Sequence, residues 1–260
     1  RRLGSDGAGV VTAVGDGVEG YRVGDPVIVF GAAGVYASDI VVGAAHVVRR
    51  PENVSAAVGA ALGIPIGTAY QTVRSLAIGS DDTGLRHAGS GSVGQAVIQF
   101  ARLFGATVLA TTSDRRADRV RELGATPLPY GPAVEDRVRE LAPQGVTVAI
   151  DLVGTDEALA QSIAIVADKS RIATLVRGAD AAGLGIRAFS GGNPVPLTAQ
   201  ELAWPPARSR LSSARSCRLP RPPKRTGCSR PAPTARSCCC PDSARVSWRG
   251  AGQLAVTRSR

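Results

Sequence analysis

Seven residues near the middle of the chain have the composition and spacing of a phosphate-binding turn. They read Ala88-Gly89-Ser90-Gly91-Ser92-Val93-Gly94 and lead into an apolar helical pattern over residues 94–104. A diphosphate requires a tight turn, close approach of a backbone without Cβ atoms, and helix N-terminal N–H groups that point at the anion. Gly91 and Gly94 allow that approach. Because a strand pattern over residues 107–111 follows, the sequence predicts a dinucleotide site rather than an ordinary loop.

The end of the second strand of this unit indicates which dinucleotide binds. An NAD site needs an acid there for the ribose 2′-hydroxyl, whereas a 2′-phosphate needs cations and small polar groups. Thr112 and Ser113 occupy the strand end. Arg115 and Arg116 begin the next helix, which favours NADPH, although Asp114 is an acid at the same place. The alternative is a solvated helix face that carries these arginines together with Arg119 and Arg121.

The elements around these residues predict an α/β architecture. Short apolar runs with Gly and Pro turns over residues 3–50 predict a small, open, barrel-like β domain. From residue 55, helices alternate with buried-type strands, which predicts a doubly wound parallel sheet. The predicted strands cover residues 9–15, 23–29, 40–42, 46–48, 107–111, 146–151 and 171–176. The predicted helices cover residues 55–62, 65–76, 94–104, 115–123, 134–141 and 157–166.

Charge and cysteine content divide the 260 residues into two unlike parts. The formal net charge of +10 by itself suggests a nucleic-acid or membrane partner. Residues 205–260, however, hold 13 of the 31 Lys and Arg residues, all five cysteines and only one acid, Asp242. The preceding part is nearly neutral and has no cysteine, which is typical of a cytoplasmic protein. With no apolar run of membrane-span length and no signal segment, we expect no membrane and no nucleic-acid partner.

The periodicity of the sequence ends after Trp204. The residues that follow are rich in Arg, Pro, Ser and Cys, so they cannot offset their ordering entropy and we expect a disordered tail. A frameshift in a GC-rich coding sequence would produce this composition and is the favoured hypothesis. An RNA-binding tail is the functional alternative, but its aromatic content is limited to Trp248. A metal site is weaker still, because Cys238-Cys239-Cys240 lack a paired cluster.

Four stretches occur in a specific order and spacing: residues 3–11 (LGSDGAGVV), 23–27 (VGDPV), 64–71 (IPIGTAYQ) and the glycine turn. They resemble the medium-chain dehydrogenase/reductase superfamily, in particular its zinc-independent quinone oxidoreductase (zeta-crystallin-like) branch. The resemblance implies a partial GroES-like domain over residues 1–66, a Rossmann dinucleotide-binding domain over 67–203, and an unrelated tail over 204–260. The nicotinamide would lie in the cleft between the domains, and the family's usual homodimer is a further expectation.

The resemblance also assigns site residues, from the diphosphate turn through the adenosine-ribose end to a loop beside the nicotinamide. The implied cofactor-binding residues are Ser90, Gly91, Ser92, Val93, Gly94, Ser113, Arg116, Tyr130, Leu175, Val176, Phe189 and Ser190. Thr68 matches a residue near the nicotinamide and the substrate; a helix cap is its alternative role. For Tyr130 the alternative is a half-buried tyrosine at a strand end. Asp151, at the carboxyl end of a strand, fits a structural hydrogen bond better than a general base.

The reaction implied by the resemblance is hydride transfer from NADPH to a quinone or another α,β-unsaturated carbonyl. Such a transfer needs close, oriented approach and a donor to the developing enolate oxygen. Zinc is not expected, since Gly4-Ser5-Asp6 replaces the Gly-His-Glu ligand motif of zinc-dependent relatives and Ser5 is a poor zinc ligand. His46 and His87 have no Cys or His partner at ligand spacing, so we interpret them as structural or surface residues.

Three departures from the family pattern predict impaired activity. The first departure is that the family segment that normally precedes Leu3, and that carries part of the substrate pocket, is missing from this sequence. Gly84 and Arg86 interrupt the strand before the glycine turn, where an apolar run is expected. The third departure is the tail after Trp204. A non-catalytic dinucleotide-binding remnant and, less well supported, a nucleic-acid-binding protein remain the alternative functions.

Overall fold

The computed structural model describes residues 3–189 and 252–258, which form two β-sheets of different kinds. The strands are β1 (Gly7–Val14), β2 (Pro26–Val29), β3 (Asp39–Gly43), β4 (Val47–Arg49), β5 (Thr83–Arg86), β6 (Thr107–Thr112), β7 (Thr126–Pro129), β8 (Val148–Asp151), β9 (Ile172–Thr174), β10 (Arg187–Ala188) and β11 (Gln253–Arg258). The first sheet has the order β3-β11-β1-β2-β4, and all its pairings are antiparallel.

The second sheet is parallel and has the order β10-β9-β8-β5-β6-β7. Numbered from its own first strand, β5, this is the 3-2-1-4-5-6 order of a Rossmann fold, with the reversal of strand order between β5 and β8. The predicted doubly wound parallel sheet is therefore confirmed. Ligands of such sheets bind at the carboxyl ends of the strands, beside the point of reversal.

The helices from residue 64 onward cover both faces of the parallel sheet, whereas the short first helix packs against β1 and β2 of the other sheet. The helices are α1 (Ala56–Gly59), α2 (Ile64–Ser75), α3 (Ser92–Leu103), α4 (Ala117–Glu122), α5 (Val134–Leu141), α6 (Asp156–Ile165) and α7 (Ala181–Leu184). On one face α2 and α3 pack in a core with Val108 and Ile150, and on the other α5 and α6 pack around Leu85. In the part of the chain that the structure describes, no helix is both long and apolar enough to cross a bilayer.

The strand β11 corrects the prediction that the whole of residues 204–260 is a disordered tail. Gln253–Arg258 lies between β1 and β3 and pairs with both. Its Leu254 and Val256 are 0% and 3% exposed, so alternate residues face the core as in any half-buried strand. The average composition of the segment concealed this alternation. A frameshift that affected everything after Trp204 does not account for this strand. The rest of the predicted tail up to residue 251 lies outside the described residues.

The irregular strand β5 is accommodated by a pair of residues on one of its faces. Arg86 is fully buried, and its Nη1 donates to the Leu85 carbonyl oxygen at 2.9 Å. The guanidinium group lies over Gly84, where an added Cβ would be 2.6 Å from Nη2 and 2.7 Å from Nη1. Nε and Nη2 have no hydrogen-bond partner among the described residues. Gly84 therefore provides the space that the buried Arg86 needs.

Candidate functional site

The glycine turn lies at the carboxyl end of β5, beside the point where the strand order reverses. The Gly89 N–H donates to the Thr111 carbonyl oxygen at 2.9 Å, which ties the turn to β6. Gly91 is the N-cap of α3, with extended backbone, and no side chain caps this helix. The first N–H groups of an α-helix have no partner within the helix. The start of α3 therefore presents uncapped donors and the positive end of a helix dipole, as a diphosphate requires.

Gly94 is the residue on which the close packing of this turn depends. An added Cβ would overlap the Ala88 carbonyl oxygen and lie 2.8 Å from that of Gly89, both backbone atoms that cannot move aside cheaply. At Gly91, by contrast, an added Cβ would meet only the Ala88 oxygen, at 3.3 Å. The predicted need for glycine is therefore much stricter at Gly94, which sets how closely α3 approaches the turn.

The residues predicted to bind the adenosine ribose lie at the ends of neighbouring strands. Thr112 and Pro129, the last residues of β6 and β7, are paired with each other. Ser113 and Tyr130 are the next residues along each strand, so they follow neighbouring strand ends. Tyr130 is 68% exposed, which removes the alternative of a half-buried tyrosine. Ser113 precedes a single 3₁₀ turn that holds Arg116. The structure thus brings Ser113, Arg116 and Tyr130 to one edge of the sheet.

The arginines after β6 divide into two groups. Arg119 pairs with Glu122 at 3.0 Å and Arg121 pairs with Asp118 at 2.6 Å, both on α4. Arg121 fits the alternative of a solvated, ion-paired helix face, whereas Arg119 is only 25% exposed and also donates to Gln95 on α3. Arg115 and Arg116 are exposed and form no ion pair within residues 3–189 and 252–258. Only this second group has cations at the strand end that a 2′-phosphate could use.

Asp151 is a structural residue, as the sequence indicated. It is fully buried, and its Oδ1 accepts hydrogen bonds from the N–H groups of Val153 at 3.0 Å and Gly154 at 2.8 Å. Its Oδ2 accepts from the Thr174 hydroxyl at 2.7 Å. Both carboxylate oxygens are therefore occupied in joining the ends of β8 and β9, which leaves the general-base alternative without a free oxygen.

The predicted nicotinamide residues follow the end of β9. That strand ends at Thr174, two residues earlier than predicted, so Leu175 and Val176 lie in the loop beyond it. Val176 is 54% exposed, whereas Leu175 packs against the core on the α2–α3 face. The Phe189 N–H donates to the Thr174 carbonyl oxygen at 3.1 Å, which brings Phe189 to the same strand end. Ser190 lies outside the described residues.

Thr68 is inside α2 rather than at its cap. Its carbonyl oxygen accepts from the Thr72 hydroxyl at 2.8 Å, in the middle of the helix. The N-terminus of α2 is instead capped from the other sheet by Asp6, whose carboxylate accepts from the N–H of Ile64 at 3.0 Å and that of Gly31 at 3.4 Å. The alternative of a capping Thr68 is therefore wrong, because the capping position belongs to a distant carboxylate. Burial raises the pKa of Asp6, and these two hydrogen bonds partly oppose that shift.

Comparisons with known proteins agree with this geometry. Residues 92–188 match the family described as zinc-binding dehydrogenase. A structure of CurK enoyl reductase superposes with a TM-score of 0.65 at 25% identity, covering 73% of this chain and 60% of that one. A quinone oxidoreductase from Pseudomonas syringae gives 0.61 at 30% identity, covering 76% and 60%. The mycobacterial Rv1454c, solved with NADPH, gives 0.62 at 27% identity, covering 77% and 68%.

The described part of the chain is similar in sequence and fold to members of the medium-chain dehydrogenase/reductase superfamily. This confirms the resemblance found in the sequence at the level of the superfamily. The chain spans only part of its relatives: it is 39% identical over 125 residues to a mycocerosic acid synthase-like polyketide synthase of Mycobacterium tuberculosis, which is 47% of this chain and 6% of that protein.

The zinc-ligand motif Gly-His-Glu of zinc-dependent relatives is replaced here by Gly4-Ser5-Asp6. Asp6, in the place of the motif's glutamate, is engaged with two backbone N–H groups. The His46 Nδ1 lies 3.1 Å from the Phe30 carbonyl oxygen, and the His87 Nε2 lies 3.1 Å from the Ser162 hydroxyl. Across residues 3–189 and 252–258, no three His, Cys, Asp or Glu side chains are grouped for a metal ion. The donor set of the described part does not fit a zinc site.

The buried His87 gives this protein a testable sensitivity to acid. The Ser162 hydroxyl donates to the Ala158 carbonyl oxygen at 2.8 Å, so it accepts from the His87 Nε2–H, which places a proton on that ring nitrogen. Burial lowers the pKa of His87 to about 4, opposed in part by Asp151. Because the unfolded chain binds this proton at higher pH than the folded chain, stability is lost as the pH falls from about 6.5 towards 4.

We therefore expect His87→Gln, which keeps a donor for Ser162, to reduce the acid sensitivity of folding. Over this pH range the wild type should lose up to about 1.4 kcal/mol of unfolding free energy per pH unit more than the variant. Urea denaturation of both proteins at pH 7, 6, 5 and 4.5 measures the difference. Parallel pH profiles for the two proteins would contradict a neutral, buried His87.

Two residues of this site were missed from the sequence. Asp6 had been interpreted only as a departure from a zinc motif, and no local sequence signal connects it with the helix that begins at Ile64. Gln95 follows the glycine turn and bonds to its backbone: Nε2 donates to the Ser90 carbonyl oxygen at 2.9 Å. A polar residue in the first turn of α3, directly after Gly94, was the only signal for it.

Proposed function

We propose that this chain binds NADPH and acts as an oxidoreductase that reduces a conjugated carbonyl compound. The observation that carries the proposal is the arrangement at the carboxyl edge of the parallel sheet. There the uncapped start of α3 follows β5, Ser113 and Arg116 follow the end of the neighbouring β6, and Tyr130 follows the end of β7. The first feature suits a diphosphate and the second suits a ribose 2′-phosphate.

Each part of the site has a defined task when the cofactor is bound. The N–H groups at the start of α3 would hold the diphosphate, and Arg116 would neutralise the 2′-phosphate. Leu175, Val176 and Phe189, at the end of β9, would position the nicotinamide ribose. The cofactor itself supplies a hydride for transfer to the substrate. Thr68 would lie near the nicotinamide and the substrate, on a helix that Asp6 anchors to the antiparallel sheet.

The proposed reaction does not use zinc. Asp6, His46 and His87 each have a structural hydrogen bond in place of a ligand role, as described above. Protonation of a reduced conjugated carbonyl can be completed by water, so a strong side-chain acid is not required. What remains for the protein is to bind and orient the two reactants.

The acceptor class is supported by two of the similar structures. One is a quinone oxidoreductase and the other an enoyl reductase, and both names denote substrates with a double bond conjugated to a carbonyl group. We propose the same class here. Turnover of 1,4-benzoquinone and of a crotonyl thioester by the full chain, each with NADPH, would distinguish the two kinds of acceptor.

The preference for NADPH is tested by Arg116→Ala. Loss of an exposed cation that faces a phosphate should raise the Kd for NADPH about tenfold, or about 1.4 kcal/mol, and leave the Kd for NADH within about twofold. Quenching of protein fluorescence and the emission of the bound cofactor measure both constants. Arg121→Ala is the matched control, since Arg121 is ion-paired with Asp118.

Several outcomes would contradict the proposal. Equal effects of Arg116→Ala on NADPH and NADH would remove the 2′-phosphate role of Arg116. NADPH binding without turnover of either acceptor would favour a non-catalytic dinucleotide-binding protein. Absence of dinucleotide binding, together with salt-sensitive RNA binding, would favour the nucleic-acid alternative.

A further inference from the structure

The peptide unit between Ser90 and Gly91 is held at both of its polar ends. The Ser90 carbonyl oxygen accepts from the Gln95 Nε2 at 2.9 Å, and the Gly91 N–H donates to the Ala88 carbonyl oxygen at 3.0 Å. This peptide directly precedes the N-cap of α3. A backbone flanked by glycine rotates easily, so the two hydrogen bonds, rather than the intrinsic preference of the chain, keep it in one orientation.

The orientation of this peptide matters for any anion at the start of α3. If this peptide rotated, the Ser90 carbonyl oxygen would lose its hydrogen bond to Gln95. The partial negative charge of that oxygen would then be reoriented within the glycine turn, which has to approach the anion. An oxygen acceptor beside a diphosphate is repulsive, whereas the N–H donors there are attractive. The side chain that holds the carbonyl oxygen therefore influences how well the turn binds an anion.

Gln95 is itself fixed in one direction. Its Oε1 accepts from the Arg119 Nε at 3.0 Å, and Arg119 pairs through Nη1 with Glu122 at 3.0 Å. A guanidinium group can only donate and a carbonyl oxygen can only accept. The amide must therefore place its oxygen towards Arg119 and its nitrogen towards Ser90. A network from α4 thus reaches the backbone of the glycine turn.

We propose that Gln95 is a positioning residue that holds the Ser90–Gly91 peptide in the orientation that accepts a diphosphate. The inference rests on the proposed dinucleotide function. Gln95 acts through the backbone of the turn, and Arg119 acts through Gln95.

The test compares Gln95→Met with Gln99→Met in the full chain. Both substitutions replace an amide by an apolar side chain of similar length on α3. Gln99, one turn further along, donates only to the Gln95 backbone oxygen, at 3.1 Å, and does not reach the turn in the described structure. In the cofactor-free proteins, amide hydrogen exchange at Gly91 should be at least tenfold faster in Gln95→Met and within about twofold of wild type in Gln99→Met.

Ligand binding provides the second readout. Gln95→Met should raise the Kd for NADPH about tenfold, whereas Gln99→Met should change it less than twofold. Adenosine 2′-monophosphate, which has the 2′-phosphate but no diphosphate, should bind equally well to all three proteins. A general loss of structure would weaken both ligands and lower the melting temperature, so it would be recognised.

The outcomes separate this inference from the function on which it rests. If the wild type binds NADPH and Gln95→Met binds it equally well, or if Gly91 exchange is unchanged, the role of Gln95 is wrong and the function stands. Equal weakening by the two Met variants would also overturn it. If the wild type binds no NADPH, both proposals fail.

Discussion

Replacing Gly94 with alanine is expected to weaken NADPH binding by about 10- to 100-fold. The new Cβ would overlap the Ala88 carbonyl oxygen and lie 2.8 Å from that of Gly89, so either the turn or the start of α3 has to move. Overpacking of this kind costs about 1–3 kcal/mol. If the turn is displaced as a result, the free energy of NADPH binding becomes less favourable by a similar amount. Titration of cofactor fluorescence measures the Kd.

Gly91→Ala is the matched control for this prediction. It adds the same methyl group to the same turn, but the group would have a single close contact, at 3.3 Å, in an extended backbone that alanine adopts readily. Its effect on Kd should therefore be several-fold smaller. If Gly91→Ala were as damaging as Gly94→Ala, the limiting contact would lie with the ligand rather than within the protein.

The second large effect is expected from the pair Gly84 and Arg86. Gly84→Ala would push a methyl group against the buried guanidinium and should destabilise the fold by about 1–3 kcal/mol. In an Arg86→Val background the same substitution fills space left by the shorter side chain. The double variant also removes a buried cation, and replacing buried charged pairs with well-packed apolar side chains is often neutral or stabilising, by up to about 4 kcal/mol. We therefore expect Gly84→Ala/Arg86→Val to be more stable than the wild type.

Urea denaturation of the four proteins in this double-mutant cycle measures the coupling between the two sites. Burial lowers the pKa of Arg86 to about 9, so the group is still a cation at pH 7. The folded protein releases this proton at lower pH than the unfolded chain, so wild-type stability should increase as the pH rises above about 9. The advantage of the double variant should shrink over the same range. Additive effects of the two substitutions would show that they do not share a contact.

Local patterns were sufficient to predict most of the Rossmann domain. The alternation of helices and strands and the glycine turn are both encoded within a few neighbouring residues. Of the residues at the ribose edge, Tyr130 was assigned by the family resemblance. Arg116 and Ser113 needed only the position of the strand end.

Features that depend on distant partners could not be predicted. Asp6 caps a helix that begins 58 residues later, and nothing near either residue indicates the other. Gly84 and Arg86 each disfavour a central strand alone, and only their contact shows why the strand forms. The strand β11 was missed because six alternating residues were averaged into a basic segment. Tertiary contacts supply the missing information in all three cases.

The position of β11 has a consequence for the order in which the chain can fold. Apart from the pairing of β5 with β8, each strand of the parallel sheet pairs with the strand next to it in sequence, so this sheet can assemble as the chain emerges. The antiparallel sheet cannot, because β1 and β3 are joined through a strand that is synthesised more than two hundred residues after them. Closing so long a loop is slow. Until β11 has been synthesised, β1 and β3 each present an open edge, and this is the interval in which a chaperone would be most useful.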